Sequence, residues 1–228
     1  MTKLARTVRA HLASAADPKR AIGMQAYMKS TMPSHGVRMP ELRAITTRAF
    51  AEQPLDSAEE WQSAVLELWR GAKFREERYA AIALASDRRY RRWLTPDILP
   101  MLEEMITTGA WWDLVDELAM LVGRLLRSHP EHMRTAVRAW STDGNLWKRR
   151  VSIICQLKLK KDTDLDLLYA NIEPNLADRD FFIRKAIGWA LRQHAWTDPE
   201  EVARYVREND SRLSGLSRRE ALKNIGTV

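Results

Sequence analysis

Two heptapeptides, Trp147-Lys148-Arg149-Arg150-Val151-Ser152-Ile153 and Phe181-Phe182-Ile183-Arg184-Lys185-Ala186-Ile187, share one pattern: aromatic, two variable positions, arginine, a variable position, a small residue, isoleucine. Upstream, Trp112 and then Phe74 continue the series, and the ladder 74, 112, 147, 181 has steps of 38, 35 and 34 residues. Periods of this size belong to helical repeats, in which each helix pair buries its apolar face only against its neighbours. The spacing therefore predicts an all-α solenoid of antiparallel helix pairs.

The remaining chain agrees. Ser57 with Glu60, and Asp198-Pro199 with Glu201, carry helix-start chemistry: a side-chain cap, a proline at the first helical position, an acid three residues on. Thr95-Pro96 is expected to open a helix in the same way. No stretch alternates with period two over β-branched residues, so no strand is expected. The pattern predicts about a dozen helices joined by short loops. Met32-Pro33-Ser34-His35-Gly36-Val37-Arg38-Met39-Pro40 is the most loop-like interior stretch. No Gly/Ser/Pro linker divides the chain, which predicts one domain over residues 1–228.

Composition narrows the partners. There are 37 Lys+Arg against 30 Asp+Glu, a net charge of +7, which favours an anionic partner such as nucleic acid or a membrane surface. No apolar run is long enough to span a bilayer, and Lys3–Leu12 is a poor membrane-surface helix, so no membrane role is expected. Cys155 is the single cysteine, which excludes an intramolecular disulfide and a cysteine-based metal site. A cytoplasmic setting without a signal peptide is the simple expectation. The five histidines do not pair as a zinc motif, and His129 and His132 flank Pro130 at a helix start. Neither a metal nor a cofactor is expected.

Turning each helix by about 100° per residue sorts the faces. In Trp111–Arg127 the apolar arc holds Trp111, Val115, Leu118, Leu121, Val122 and Leu125, so Trp111 reads as core. Trp112 falls elsewhere, on a stripe with Asp116, Ala119 and Gly123: a ring, an acid, then small residues that leave room. Arg150 lies among Ile153, Ile154 and Leu157 on a mostly apolar side. A guanidinium there needs a partner, either an acid from a neighbouring helix or a phosphate. Residues 144–161 contain six basic residues and no acid, a local positive field. In the next repeat Arg184, Lys185 and Arg192 share a side with Phe181 and Gly188, and Trp189 sits at its border. Gly188 weakens a helix relative to alanine, and close approach of another backbone, protein or nucleic acid, is one reason to keep it. Each feature also has a plain structural reading: Trp112 as packing, Asp116 and Arg150 as members of ion pairs, Lys158-Leu159-Lys160-Lys161 as a solvated helix end.

Taken together these segments resemble the AlkD-type DNA alkylation repair glycosylases, a family of HEAT-like repeat proteins. The resemblance runs from Met24-Gln25-Ala26-Tyr27-Met28-Lys29 and Gly36-Val37-Arg38-Met39-Pro40-Glu41-Leu42-Arg43 to Leu216-Ser217-Arg218-Arg219-Glu220-Ala221-Leu222. Trp111-Trp112-Asp113-Leu114-Val115-Asp116 and Phe181-Phe182-Ile183-Arg184-Lys185-Ala186-Ile187-Gly188-Trp189 are its specific parts. The resemblance implies a HEAT-like solenoid with a concave basic face. It also implies excision of cationic N3- and N7-alkyl purines from duplex DNA by hydrolysis of the N-glycosidic bond, the first step of base excision repair. By it, Asp116 is the catalytic carboxylate, Trp112 and Trp189 are aromatic walls, and Arg150 grips a backbone phosphate. Tyr27, Arg38, Lys148, Arg149, Arg184, Lys185 and Arg192 are the further expected DNA contacts. Arg38 departs from the uncharged glutamine that the best-known members carry there. A monomer acting on double-stranded DNA at the nucleoid is the expected working form. Two other uses of the same architecture are a non-catalytic DNA-binding relative and a protein-interaction scaffold.

Overall fold

The computed structural model describes residues 2–225, and these hold thirteen α-helices and no strand. The chain divides between Leu94 and Thr95 into two compact units. The first contains α1 (Lys3–Ser14), α2 (Pro18–Met28), α3 (Met39–Glu52), α4 (Ala58–Arg70) and α5 (Arg75–Ala85). Helices α1, α3 and α5 pack on one another, and α4 lies along α5 and α1. Leu4, Val8, Leu12, Leu42, Phe50, Trp61, Leu68 and Leu84 form its core. Helix α2 is the exception: Asp17 caps it and Pro18 starts it, yet none of its residues is buried.

The second unit contains α6 (Leu99–Gly109), α7 (Trp112–Ser128), α8 (Pro130–Trp140), α9 (Leu146–Ile154), α10 (Leu165–Ile172), α11 (Phe181–His194), α12 (Pro199–Glu208) and α13 (Gly215–Ala221). Alternate helices stack in order: α7 on α9, α9 on α11, α11 on α13. Their partners α8, α10 and α12 pack behind them. The aromatic ladder marks this arrangement. Phe74 caps α5, Trp112 begins α7, Trp147 is the second residue of α9 and Phe181 begins α11, so each step of the ladder is one helix pair.

Glycines set the spacing of the stacked layer. A methyl at Gly123 would lie 2.0 Å from the Cys155 carbonyl oxygen, so α7 and α9 touch backbone to backbone there. A methyl at Gly188 would meet the Glu220 Cβ at 2.6 Å and the Ser217 carbonyl oxygen at 2.7 Å. The close neighbour expected at Gly188 is thus protein, the α13 backbone. Similarly, the room expected beside Ala119 and Gly123 is filled by the adjoining repeat, and both residues are buried.

Two local expectations change. Trp111 is the N-cap of α7, with extended backbone (φ −151°), and is half-buried rather than core. An extended residue leaves the 100° progression of the helix, so its ring packs instead against Trp147 and edge-on to Phe182 at 5.8 Å. Thr95-Pro96 opens a short 3-10 turn (Pro96–Ile98) before α6, and the Thr95 hydroxyl bonds the Asp97 carboxylate instead of a backbone N–H. The caps at Ser57 and Asp198 form as expected, accepting from Glu60 N–H and Glu201 N–H.

Candidate active site

Helix α7 carries Trp112 in its first turn and Asp116 in its second, both half-buried. The Asp116 side chain retains 16% exposure. Arg150, on α9, the next helix of the stack, retains 4% and forms a two-pronged pair with it: Nε donates to Oδ1 at 2.7 Å and Nη2 to Oδ2 at 2.8 Å. Its remaining terminal nitrogen, Nη1, donates to the Phe182 carbonyl in the first turn of α11 at 2.6 Å. The guanidinium also stands 5.9 Å from the Phe182 ring centre. One arginine therefore joins α7, α9 and α11. Of the two partners the sequence leaves open for it, the acid from a neighbouring helix is the one it holds in the free protein. Three of its five N–H donors are engaged internally.

Burial raises the Asp116 carboxyl above the ordinary aspartate range, and Asp113 and Glu117 add to this, while Arg150 pulls downward by hydrogen bond and charge; the net shift is upward. The result is a carboxylate whose anion is costly, fixed in orientation and still open to solvent. Such a group gains more from a new positive charge nearby than a well-solvated aspartate does.

Trp189 lies in the third turn of α11, half-buried, so none of Asp116, Trp112 and Trp189 is sealed in the core. Beside the pair sits an aromatic group, Trp111, Trp147, Phe182 and the exposed Phe181, at the leading ends of α7, α9 and α11.

The basic residues expected to meet DNA are mostly engaged with acids. Lys148 stands between Glu103 (3.4 Å) and Asp143 (3.3 Å). Arg149 bonds the Asp143 carbonyl and the Asp178 carboxylate, each at 2.9 Å. Arg184 Nε donates to the Asp178 carbonyl at 2.9 Å. Lys185 and Arg192 both pair with Glu220. Burial acts to raise the Glu220 carboxyl, but Lys185 and Arg192 outweigh it and the group titrates below the ordinary range. The positive field read from residues 144–161 is thus partly neutralised by acids that lie outside that interval. Tyr27 and Arg38 belong to the first unit, and both are exposed, Tyr27 to 74%. Sequence reasoning missed Phe182, which acts through its carbonyl, and Asp178 and Glu220. A backbone acceptor leaves no trace in residue type, and Asp178 sits 29 residues from Arg149 and Glu220 35 residues from Lys185.

The DNA alkylation repair enzyme family matches residues 8–225 of this chain. The chain belongs to that family. A solved structure described as a predicted DNA alkylation repair enzyme from Enterococcus faecalis is similar to this family member, with a TM-score of 0.85 and 30% identity over 93% of this chain and 98% of that one. Among curated proteins none matches. Membership assigns the chain to DNA alkylation repair and supports the all-helical repeat fold.

Proposed function

We propose that the protein is a DNA glycosylase that hydrolyses the N-glycosidic bond of N3- and N7-alkylated purines in duplex DNA, with Asp116 as the catalytic carboxylate. The observation that carries this reading is the Asp116–Arg150 arrangement: a desolvated, oriented and solvent-accessible acid one helical turn from Trp112.

Alkylation at N7 or N3 makes the purine cationic, so the base departs neutral and needs no general acid. As the C1′–N bond breaks, positive charge develops on the sugar. An ionised carboxylate beside C1′ stabilises that charge and orients the attacking water, whose proton it can accept. Trp112 and Trp189 offer indole faces to the cationic sugar and base, each contributing about 0.5–2 kcal/mol. Arg150 holds Asp116 in place and favours its ionised form against the opposing effect of burial. Lys185, Arg184 and Arg192, though paired with protein groups, stay part-exposed and can share their charge with phosphates. Tyr27 and Arg38 are proposed as contacts from the first unit.

Incubation with methylated duplex DNA is expected to release free 7-methylguanine and 3-methyladenine and leave abasic sites. Binding to that duplex with no free base after prolonged incubation would reject the glycosylase reading and leave a DNA-binding family member.

A further inference from the structure

The loop that precedes α3 is held with unusual completeness. Glu76, in the first turn of α5, has no solvent exposure. Its carboxylate accepts from the Ser34 hydroxyl at 2.6 Å and from the backbone N–H groups of His35 (2.9 Å), Gly36 (2.9 Å) and Val37 (3.2 Å). The neighbours of Glu76 add to the grip. Arg75 N–H donates to the Pro33 carbonyl at 2.9 Å, and Phe74 stacks on the His35 ring at 3.8 Å. From the other side, Asp17 N–H donates to the His35 carbonyl at 2.8 Å and Arg20 to the Gly36 carbonyl at 2.8 Å. Gly36 adopts φ +80°, and a methyl on it would lie 2.2 Å from the Asp17 carbonyl oxygen. Glu41 then closes the loop by accepting from Arg38 N–H at 3.0 Å.

The side chain at the end of this clamp is treated differently. Arg38 is exposed, and its charge is one of several that hold the Asp17 carboxyl below the ordinary range. Beside it Met39 is 39% exposed. Burying a carboxylate is costly and is tolerated only when its lone pairs are filled. His35, Gly36 and Val37 are buried, so water cannot reach their N–H groups and the carboxylate is the acceptor that satisfies them. The same bonds fix the backbone immediately before Arg38, and so the place from which its exposed side chain starts.

We infer that Glu76 is a positioning residue: it locks residues 33–38 so that Arg38 is presented, already ordered, to the polyanionic surface of duplex DNA. The inference rests on the reading of Arg38 as a DNA contact given above. Preordering matters because an arginine on a loose loop loses to conformational entropy much of what its charge gains on binding.

A double-mutant cycle read by duplex binding tests this. Arg38→Ala in the wild-type background is expected to weaken binding about tenfold and to reduce the log–log salt slope by about 0.9. Glu76→Gln places an N–H against at least one of the four donors, and is expected to weaken binding by a similar factor. In that background Arg38→Ala should then have little further effect. Equal losses from Arg38→Ala in both backgrounds would overturn the inference, and so would an Arg38→Ala variant that binds as wild type. Should Glu76→Gln fail to fold, Ser34→Ala removes one donor and leaves the acid. The Arg38→Ala loss should shrink there, and an undiminished loss would again overturn it. Because the cycle reads binding alone, failure of base release in the wild-type protein rejects the glycosylase reading without entering this result.

Discussion

Asp116 and Glu220 face the same kind of neighbour, cations on the adjoining stacked helix, yet their carboxyl groups shift in opposite directions. Glu220 is met by two cations, Lys185 and Arg192, and they outweigh its burial. Asp116 is met by one, Arg150, and burial prevails. The linkage to folding follows the sign of each shift. Glu220, lowered, stabilises the fold above the ordinary glutamate value of 4.5, and that contribution is lost as pH falls through its folded pKa. Asp116, raised, contributes fully below the ordinary aspartate value of 3.8, and its contribution is lost as pH rises through its folded pKa. At neutral pH one acid is therefore a tie between helices. The other, Asp116, also ties α7 to α9 through Arg150, but its charged form is one that burial makes costly, a common condition of functional acids.

The comparison breaks most sharply at Asp116 itself. Asp116→Asn keeps the shape and removes the charge. Base release should fall by about 10²–10³-fold, as when other electrostatic stabilisers are removed, while duplex affinity changes little. Full activity in single-turnover assays would end the carboxylate reading.

Arg150→Ala should come next. It leaves a mostly buried acid without its cation, a loss near the lower end of about 3–5 kcal/mol because Asp116 retains solvent contact. Thermal unfolding measures this. With the downward pull gone, the acid limb of the pH–rate profile should move to higher pH, and an unmoved limb would show that Asp116 does not control it.

Gly123→Ala sharpens the comparison without touching either acid. The added methyl meets the Cys155 carbonyl and should cost about 1–3 kcal/mol through displacement of α9 from α7. Activity should fall along with stability, because the same displacement draws Arg150 away from Asp116. Glu220→Gln should have the smallest effect, about 1–2 kcal/mol at neutral pH, with base release nearly unchanged. Its stability deficit should begin to shrink as pH falls below 4.5 and close once pH passes the lower folded pKa, where the wild-type carboxyl also loses its charge.

The repeat was legible in the sequence because it is written in bulky residues at helix starts: Phe74, Trp112, Trp147 and Phe181 each open one pair. The α7 face was legible because its core residues keep the helical period. Trp111 was misread because periodicity cannot tell an N-cap from a first-turn residue, and the two point in unrelated directions. Arg150 was recognisable as a buried cation needing a partner, but the choice between acid and phosphate depended on which side of α9 meets α7. The neutralising acids Asp178 and Glu220 were illegible, since only the stacking of helices brings them to Arg149, Lys185 and Arg192. The clamp at Glu76 was hidden for the same reason: its four donors lie about forty residues upstream, in a stretch whose composition signals only a loop.

Gly123 carries one more implication. With a hydrogen in place of a side chain there, α7 lies directly on the end of the α9 main chain, and Asp116 and Arg150 together span the gap between the helices. Aspartate has one fewer rotatable bond than glutamate, so the charge it delivers is better fixed. A missing methyl two turns away thus helps to set the crossing at which a short acid and Arg150 meet, and a wider crossing would stretch that pair.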